Sequence, residues 1–137
     1  MTPEEEQQLL SVVAGLVPAT AQQVGRALGQ LSQRLQELTD ELTAADREAT
    51  ELSEAYELAY DRAFLEAGEG ERVAVEVRKA MARVQTYEQR LAGEVAKANV
   101  RSLRAAHRTL DRRIDVGRTQ AATVRSEHRT VGYGGAA

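Results

Sequence analysis

A long run of apolar residues at alternating spacings of four and three dominates the pattern of this chain. The run has twelve positions: Val24, Leu28, Leu31, Leu35, Leu38, Leu42, Ala45, Ala49, Leu52, Tyr56, Ala59 and Ala63. Such spacing is typical of the a and d positions of a coiled-coil heptad. It predicts one long helix from about residue 20 to Ala67. Because Leu gives way to Ala along this seam, we expect the packed helix to approach more closely near the C-terminal end.

Proline and glycine divide the remaining sequence into further helices. Pro3, followed by three glutamates, predicts a first helix that is short and stops near Gly15, because Pro18 disfavours helical geometry at the preceding residue. Residues 68–70 break the heptad pattern and predict a reversal between two long helices. In the second of these helices, Gly117 predicts a kink or the start of a separate last helix.

The expected fold is therefore all-α: a short N-terminal helix, a long antiparallel hairpin and a bent C-terminal helix, forming a coiled-coil-type oligomer. The boundaries are residues 1–18 for the short helix, 19–130 for the hairpin and 131–137 for a flexible tail rich in glycine. A thin seam makes a single hairpin marginal by itself, so we expect a homo-oligomer. The predicted oligomer seam comprises Val24, Leu28, Leu31, Leu35, Leu38, Leu42 and Leu52.

Composition excludes several classes of protein. The 137 residues include no Cys, which rules out a disulfide framework and any zinc site built on thiolates. The sequence opens with Glu4, Glu5 and Glu6, unlike the positive start of a signal peptide, and its apolar runs are too short to cross a bilayer. We expect a cytoplasmic protein with no membrane partner.

The chain lacks the residue patterns that usually carry catalysis. His107 and His128 are the only histidines, and neither belongs to a closely spaced metal-binding pair. The sequence contains no glycine-rich phosphate loop and no Gly-x-Ser-x-Gly nucleophile motif. We therefore predict that the protein is not an enzyme and uses neither a metal nor another cofactor.

Charge is distributed unevenly along the chain. Residues 1–70 carry four basic and fourteen acidic side chains, whereas residues 71–137 carry fourteen basic and seven acidic ones. The second half contains a helical stripe of cations with others beyond it: Lys97, Arg101, Arg104, Arg108, Arg112, Arg113, Arg118 and Arg125. Arginine makes bidentate contacts with phosphate, so these positions are candidates for nucleic-acid binding.

Two interpretations of this basic stripe compete equally. It can bind a polyanion such as nucleic acid, or it can face the acidic second helix and be neutralised there. Acidic residues are sparse between Glu94 and Glu127, which counts against full neutralisation. Aromatic residues are also few near the stripe, so binding to nucleic acid would be mostly electrostatic and weakly selective for sequence.

A second candidate lies at the end of the heptad seam. Residues 56–65 hold three of the five aromatic residues of the chain. Tyr60 and Arg62 lie off the seam, where a tyrosine can stack on a base and an arginine can hold a phosphate. A tightened hairpin tip explains the aromatic residues about equally well.

The same region resembles a known family. The segment Tyr56 to Leu65, the break at Gly68–Gly70, the Arg78-Lys79-Ala80 helix and the segment Leu110 to Arg118 followed by Arg125-Ser126-Glu127 look like small helical proteins of actinobacterial tailed phages. Those proteins in turn resemble the UvsY-type recombination mediators. The likeness covers roughly residues 40–130.

The resemblance implies a function. UvsY-type mediators assemble into rings, bind single-stranded DNA without sequence preference, and help load a RecA-like recombinase onto DNA covered by single-strand-binding protein. Only Arg62 matches the family's basic motif, since Tyr60 or Asp61 replaces its basic neighbour, so the later arginines would supply the missing charge. The hypothesis is a non-sequence-specific recombination mediator that forms a homo-oligomer. The alternative is a structural or scaffolding coiled-coil protein of a phage with no role in nucleic-acid binding.

Overall fold

The computed structural model describes residues 1–70 and 72–134, with all their side chains except those of 128 and 130–134. In this part of the chain, every regular element is a helix, as the sequence predicted. Four α-helices follow in order: α1 (Pro3–Ala14), α2 (Ala21–Ala67), α3 (Val75–Gln85) and α4 (Tyr87–Gly134). The predicted boundaries of the first two helices are confirmed.

Local capping explains where α1 begins and ends. The Thr2 hydroxyl accepts a hydrogen bond from the Glu5 amide at 3.2 Å, and the Glu5 carboxylate accepts one from the Thr2 amide at 3.0 Å. This reciprocal pair satisfies amides that have no partner within the first turn. The helix ends because Gly15 adopts a left-handed conformation with φ of 75°, which L side chains rarely adopt. Thr20 and Gln23 form an equivalent pair at the start of α2.

The break in the C-terminal half lies at Thr86, and no separate last helix begins at Gly117. α4 passes through Gly117 without interruption. At the junction of α3 and α4, the buried Thr86 hydroxyl donates to the Ala82 carbonyl at 2.6 Å, and the Thr86 amide donates to the same oxygen at 3.0 Å. Threonine bonding back to the preceding turn bends helices. The helix also extends to Gly134, into the predicted tail, of which residues 135–137 lie outside the described residues.

The chain divides into two compact units. Unit 1 comprises residues 1–39 and 105–137, and unit 2 comprises residues 40–104. In unit 1, α1 packs as a third helix beside the ends of α2 and α4, and it buries large side chains. The buried apolar residues of this unit are Leu10, Val13, Ala14, Ala27, Leu31, Leu38, Leu110 and Ile114. Three helices give this unit enough surface to enclose a core of ordinary depth.

Gly117 has a packing role in unit 1. It is buried, and a Cβ built on it would lie 3.3 Å from Val13 Cγ1 and 3.6 Å from the Ala14 amide nitrogen. The C-terminal end of α1 therefore approaches the α4 backbone closely, at a position where a Cβ would lie tight against Val13. Glycine at this position permits close helix packing.

Unit 2 has a much thinner core, as the replacement of Leu by Ala along the seam suggested. Its central cluster consists of Ala45 and Ala49 of α2 with Ala96 and Val100 of α4, flanked by partly buried leucines. Small residues allow the two helix backbones to approach, but they remove little apolar area from water. Unit 2 therefore gains little hydrophobic stabilisation from its own core.

The turn between α2 and α3 is held by Arg78. Its Nε and Nη2 donate to the Phe64 carbonyl at 3.2 and 3.0 Å, and its guanidinium carbon lies 4.2 Å from the centre of the Phe64 ring. A Cβ on Gly68 would overlap this guanidinium group. Arg78 thereby satisfies one of the carbonyls that the last turn of α2 leaves without a helical donor. We call this arrangement of Phe64, Gly68 and Arg78 the arginine clasp.

Candidate nucleic-acid interface

The arginines of α4 in unit 1 are exposed, and no carboxylate neutralises them. Five of the candidate residues lie in this unit: Arg108, Arg112, Arg113, Arg118 and Arg125. Within the described part of the chain, none of these five has a carboxylate oxygen within 4 Å. Arg125 donates from Nε to the Ala121 carbonyl at 3.2 Å, which leaves its Nη groups at the surface. These side chains can therefore accept an anionic partner without breaking an existing ion pair.

Two of these arginines line a cleft between α1 and α4. Arg112 and Arg113 stand beside Gln7, Ser11 and Gln120 at a cleft of about 360 Å³. Its remaining lining residues are apolar, and the lining contains no acidic side chain. Cations beside neutral hydrogen-bonding groups can bind a phosphate and nearby polar groups, because the lining holds no carboxylate that would repel the anion.

The candidate cations of unit 2 have a different environment. Lys97, Arg101 and Arg104 lie together along one cleft, as their spacing predicted, but acidic residues line the same cleft: Asp46, Glu54 and Glu57. Arg104 Nη2 lies 3.7 Å from Asp46 Oδ2, and Lys97 Nζ lies 3.5 Å from Glu94 Oε1. The neutralisation interpretation thus applies in part to unit 2, which has ten basic and fourteen acidic residues over positions 40–104.

Tyr60 and Arg62 are not equivalent in the structure. Tyr60 is half-buried and packs against Tyr56, with ring centres 6.2 Å apart and ring planes inclined by 57°. Arg62 is exposed, and among the described residues it makes no ion pair within 4 Å. Tyr60 therefore has a packing role in the protomer and only part of its ring is open to a base.

The predicted oligomer seam lies largely inside the protomer. Leu31 and Leu38 are buried at 0% and 4% exposure, and the other seam positions are half-buried: Val24, Leu28, Leu35, Leu42 and Leu52. These residues pack against helices of their own chain, so little of the seam is open to a second copy. The heptad spacing predicted α2 and its apolar face. It did not indicate whether helices of the same chain or of a second copy would cover that face.

Sequence reasoning missed several residues that shape these surfaces. Gln7, Ser11 and Gln120 complete the cleft at Arg112 and Arg113, although nothing in their spacing marks them. Arg78 looked like one more cation, whereas the structure uses it in the arginine clasp. Only the glycines at 68 and 117 carried a usable signal, since an interior glycine suggests a close approach by another group.

The described helices offer neither a metal site nor a membrane span. No group of three or more acidic or histidine side chains has a metal-binding arrangement among the described residues. Over the same residues, no helix combines the length and the apolar character needed to cross a membrane. His107 instead lies 3.2 Å, through Nε2, from the Thr39 hydroxyl.

Comparisons with known proteins give no relative. No family model, no curated protein and no solved structure matches this chain.

Proposed function

We propose that the protein is a non-sequence-specific single-stranded DNA-binding protein of the recombination-mediator type, and that it assists a RecA-like recombinase on DNA covered by single-strand-binding protein. The observation that carries the DNA-binding part is the row of exposed arginines on α4 in unit 1, which have no carboxylate oxygen within 4 Å among the described residues. The recombinase and the single-strand-binding protein enter only through the resemblance to UvsY-type mediators. We also propose that each chain forms one antiparallel hairpin and that several chains form a homo-oligomer.

Electrostatics favours unit 1 as the principal contact. Between residues 105 and 134, six arginines stand against three acidic residues, and unit 1 as a whole has eight basic and seven acidic residues, whereas unit 2 has ten basic and fourteen acidic residues. A DNA strand carries one phosphate charge per nucleotide, and each phosphate neutralised by arginine releases condensed counterions. Several copies in one oligomer would bind one strand together and raise the overall affinity.

The test compares two sets of three substitutions by fluorescence anisotropy with labelled oligo-dT. The first variant combines Arg112→Ala, Arg113→Ala and Arg118→Ala, and the second combines Lys97→Ala, Arg101→Ala and Arg104→Ala. For single strands, each lost phosphate contact reduces the steepness of the plot of log K against log salt by about 0.7. The first variant should therefore show a slope that is shallower by about 2. Its affinity at 50 mM salt should fall on the order of a hundredfold. The second should lose less, because acidic residues already offset its cations.

A matched control carries Arg26→Ala and Arg47→Ala, which remove exposed arginines of α2. This control should keep at least half of the wild-type affinity, and all variants should keep the wild-type helical circular dichroism. The control removes two charges and each of the other variants removes three, so losses in that proportion would show that only net charge matters and would remove the α4 arginines from the mechanism. Equal affinity for duplex and single strands would contradict the mediator proposal.

The alternative function is a scaffolding protein that binds only protein. One observation favours it: large apolar side chains of unit 2 remain exposed, as expected of a protein-binding surface. Absence of any oligo-dT binding at low salt, with a stable oligomer in solution, would support the scaffold over the mediator.

A further inference from the structure

Helices α3 and α4 carry two apolar faces in unit 2, and the larger side chains lie on the outer one. The buried inner face consists of Ala82, Thr86, Gly93, Ala96 and Val100, with Leu103 partly buried at its end. The outer face carries Val77, Met81, Val84, Leu91 and Val95, all close to half exposed or more. A soluble domain normally buries its large apolar residues first, so this reversed order needs a cause.

We call these five residues the outer stripe, and we propose that it binds the outer stripe of a second copy of this chain in an antiparallel two-helix contact. The proposal stands whether or not the chain binds DNA. It also differs from the oligomer seam expected on α2, because the outer stripe lies on the face of α3 and α4 that points away from α2.

Heptad spacing supports a helical partner. From Val77 to Val95 the positions follow one another at spacings of four, three, four, three and four, with Glu88 as the only charged member. Such alternation is the pattern of a two-helix seam. Backbone hydrogen bonds from Thr86 to Ala82 and from Arg90 to Thr86, both 3.0 Å, keep the i to i−4 pattern on both sides of the α3–α4 junction. The two segments therefore carry their apolar positions in one heptad register across the bend.

The charge of Glu88 selects the direction of pairing. In a parallel pair, Glu88 would face Glu88 of the other copy inside the seam, where like charges repel and lose hydration. In an antiparallel pair, each a position of one copy faces a d position of the other. The numbers of two facing residues then add up to 172. The six layers then match with no position left over: Val77 with Val95, Met81 with Leu91, and Val84 with Glu88, each occurring twice.

Basic residues beside the stripe complete this arrangement. Arg83 directly precedes Val84, so Glu88 of one copy would lie near an arginine of the other. Tyr87 sits close to the twofold axis and is about half exposed, with the Arg90 guanidinium 5.7 Å from its ring centre. Opposite charges at the edge of a seam set orientation and register, so these arginines favour the same antiparallel pairing.

The exposed area is large enough for a specific dimer. The outer stripe and Tyr87 together expose on the order of 600 Å², which is the upper end of the patches that monomeric proteins leave open. Two copies would bury about 1,200 Å² in all, which exceeds the roughly 1,000 Å² that a specific interface needs. The thin alanine core of unit 2 is consistent with a protein that completes its burial by association.

The first experiment is a mass measurement by light scattering over a range of protein concentrations. Leu91→Asp should abolish the concentration-dependent dimer and leave a monomer of about half the mass, whereas Val116→Asp, an equally exposed valine in unit 1, should leave association unchanged. If Leu91→Asp and Val116→Asp have the same mass as wild type, or if wild type is monomeric at about 100 μM, the outer stripe is not the interface.

The second experiment determines the register of the two paired helices. Because the native chain has no cysteine, only the introduced cysteines can form a crosslink. Under mild oxidation, a mixture of Val77→Cys and Val95→Cys chains should form a disulfide-linked heterodimer, while each variant alone should crosslink at least tenfold less. Tyr87→Cys alone should crosslink to itself. Self-crosslinking of Val77→Cys equal to that of the mixture would show parallel pairing and overturn the proposal, even if the protein dimerises.

Discussion

The arginine clasp at the α2–α3 turn should make a measurable contribution to stability. Replacing Arg78 with Ala removes two hydrogen bonds to the Phe64 carbonyl and the contact of the guanidinium with the Phe64 ring. The carbonyl also loses its donor, although it lies at a helix end where water can replace part of the interaction. Because α3 packs on α2 near this turn, we expect the loss to affect unit 2 directly.

The magnitude follows from the geometry. A hydrogen bond from a charged donor contributes about 1.5–3 kcal/mol, and both bonds here share one acceptor, so we count them as a single interaction. The cation–π contact adds about 0.5–1 kcal/mol at a partly exposed site. Since Arg78 is half-buried, we expect Arg78→Ala to lower the free energy of unfolding by about 2 kcal/mol. With a urea m-value of about 2 kcal/mol/M, the midpoint should fall by about 1 M.

Urea unfolding followed by circular dichroism at 222 nm, at one fixed protein concentration, measures this difference. Arg78→Lys keeps the charge but loses the planar fork, so it should lie between wild type and Arg78→Ala. Arg47→Ala is the control, because it removes an exposed arginine of α2 in the same unit. If Arg78→Ala and Arg47→Ala unfold at the same urea concentration, the clasp contributes nothing to stability and the reasoning is refuted.

Two further predictions concern glycines, and both are read from thermal unfolding. Gly117→Val should lower the free energy of unfolding of unit 1 by about 1–3 kcal/mol, because the valine side chain would enter the contact between α4 and Val13. An unchanged melting temperature would show that α1 does not pack there. Gly25→Ala and Gly29→Ala should each stabilise α2 by about 1 kcal/mol, since no atom lies within 4 Å of the added methyl group, and a loss of stability would indicate an undetected contact at that face.

The helices were predictable because their signals are local. The capping residues Thr2 and Thr20, the left-handed Gly15 and the heptad spacing from Val24 to Ala63 act within one or two turns of the chain. Each of these features determines a helix end or an apolar face without reference to distant residues. The interruption at Thr86 was missed because threonine in a helix usually leaves it continuous, and only its back-bonding to Ala82 shows the bend.

The candidate interface was only partly readable from sequence, because electrostatic environment depends on residues far apart in the chain. Lys97 and Arg112 looked alike as members of one basic stripe, yet acidic residues line the cleft beside Lys97, whereas glutamines and a serine stand beside Arg112. A charge pattern gives the number and spacing of the cations. Which of them remain unpaired depends on the helix that packs beside each one.

Sequence by itself determined that this chain is helical, where α1 and α2 begin and end, and that its second half is basic. Tertiary structure decided the rest: that the α2 seam is covered by the chain's own helices, that Gly117 allows a close helix contact, and that the largest apolar side chains of α3 face outward. The physical reason is that a periodic pattern specifies a face of a helix, whereas burial requires a second surface whose identity no local interaction encodes.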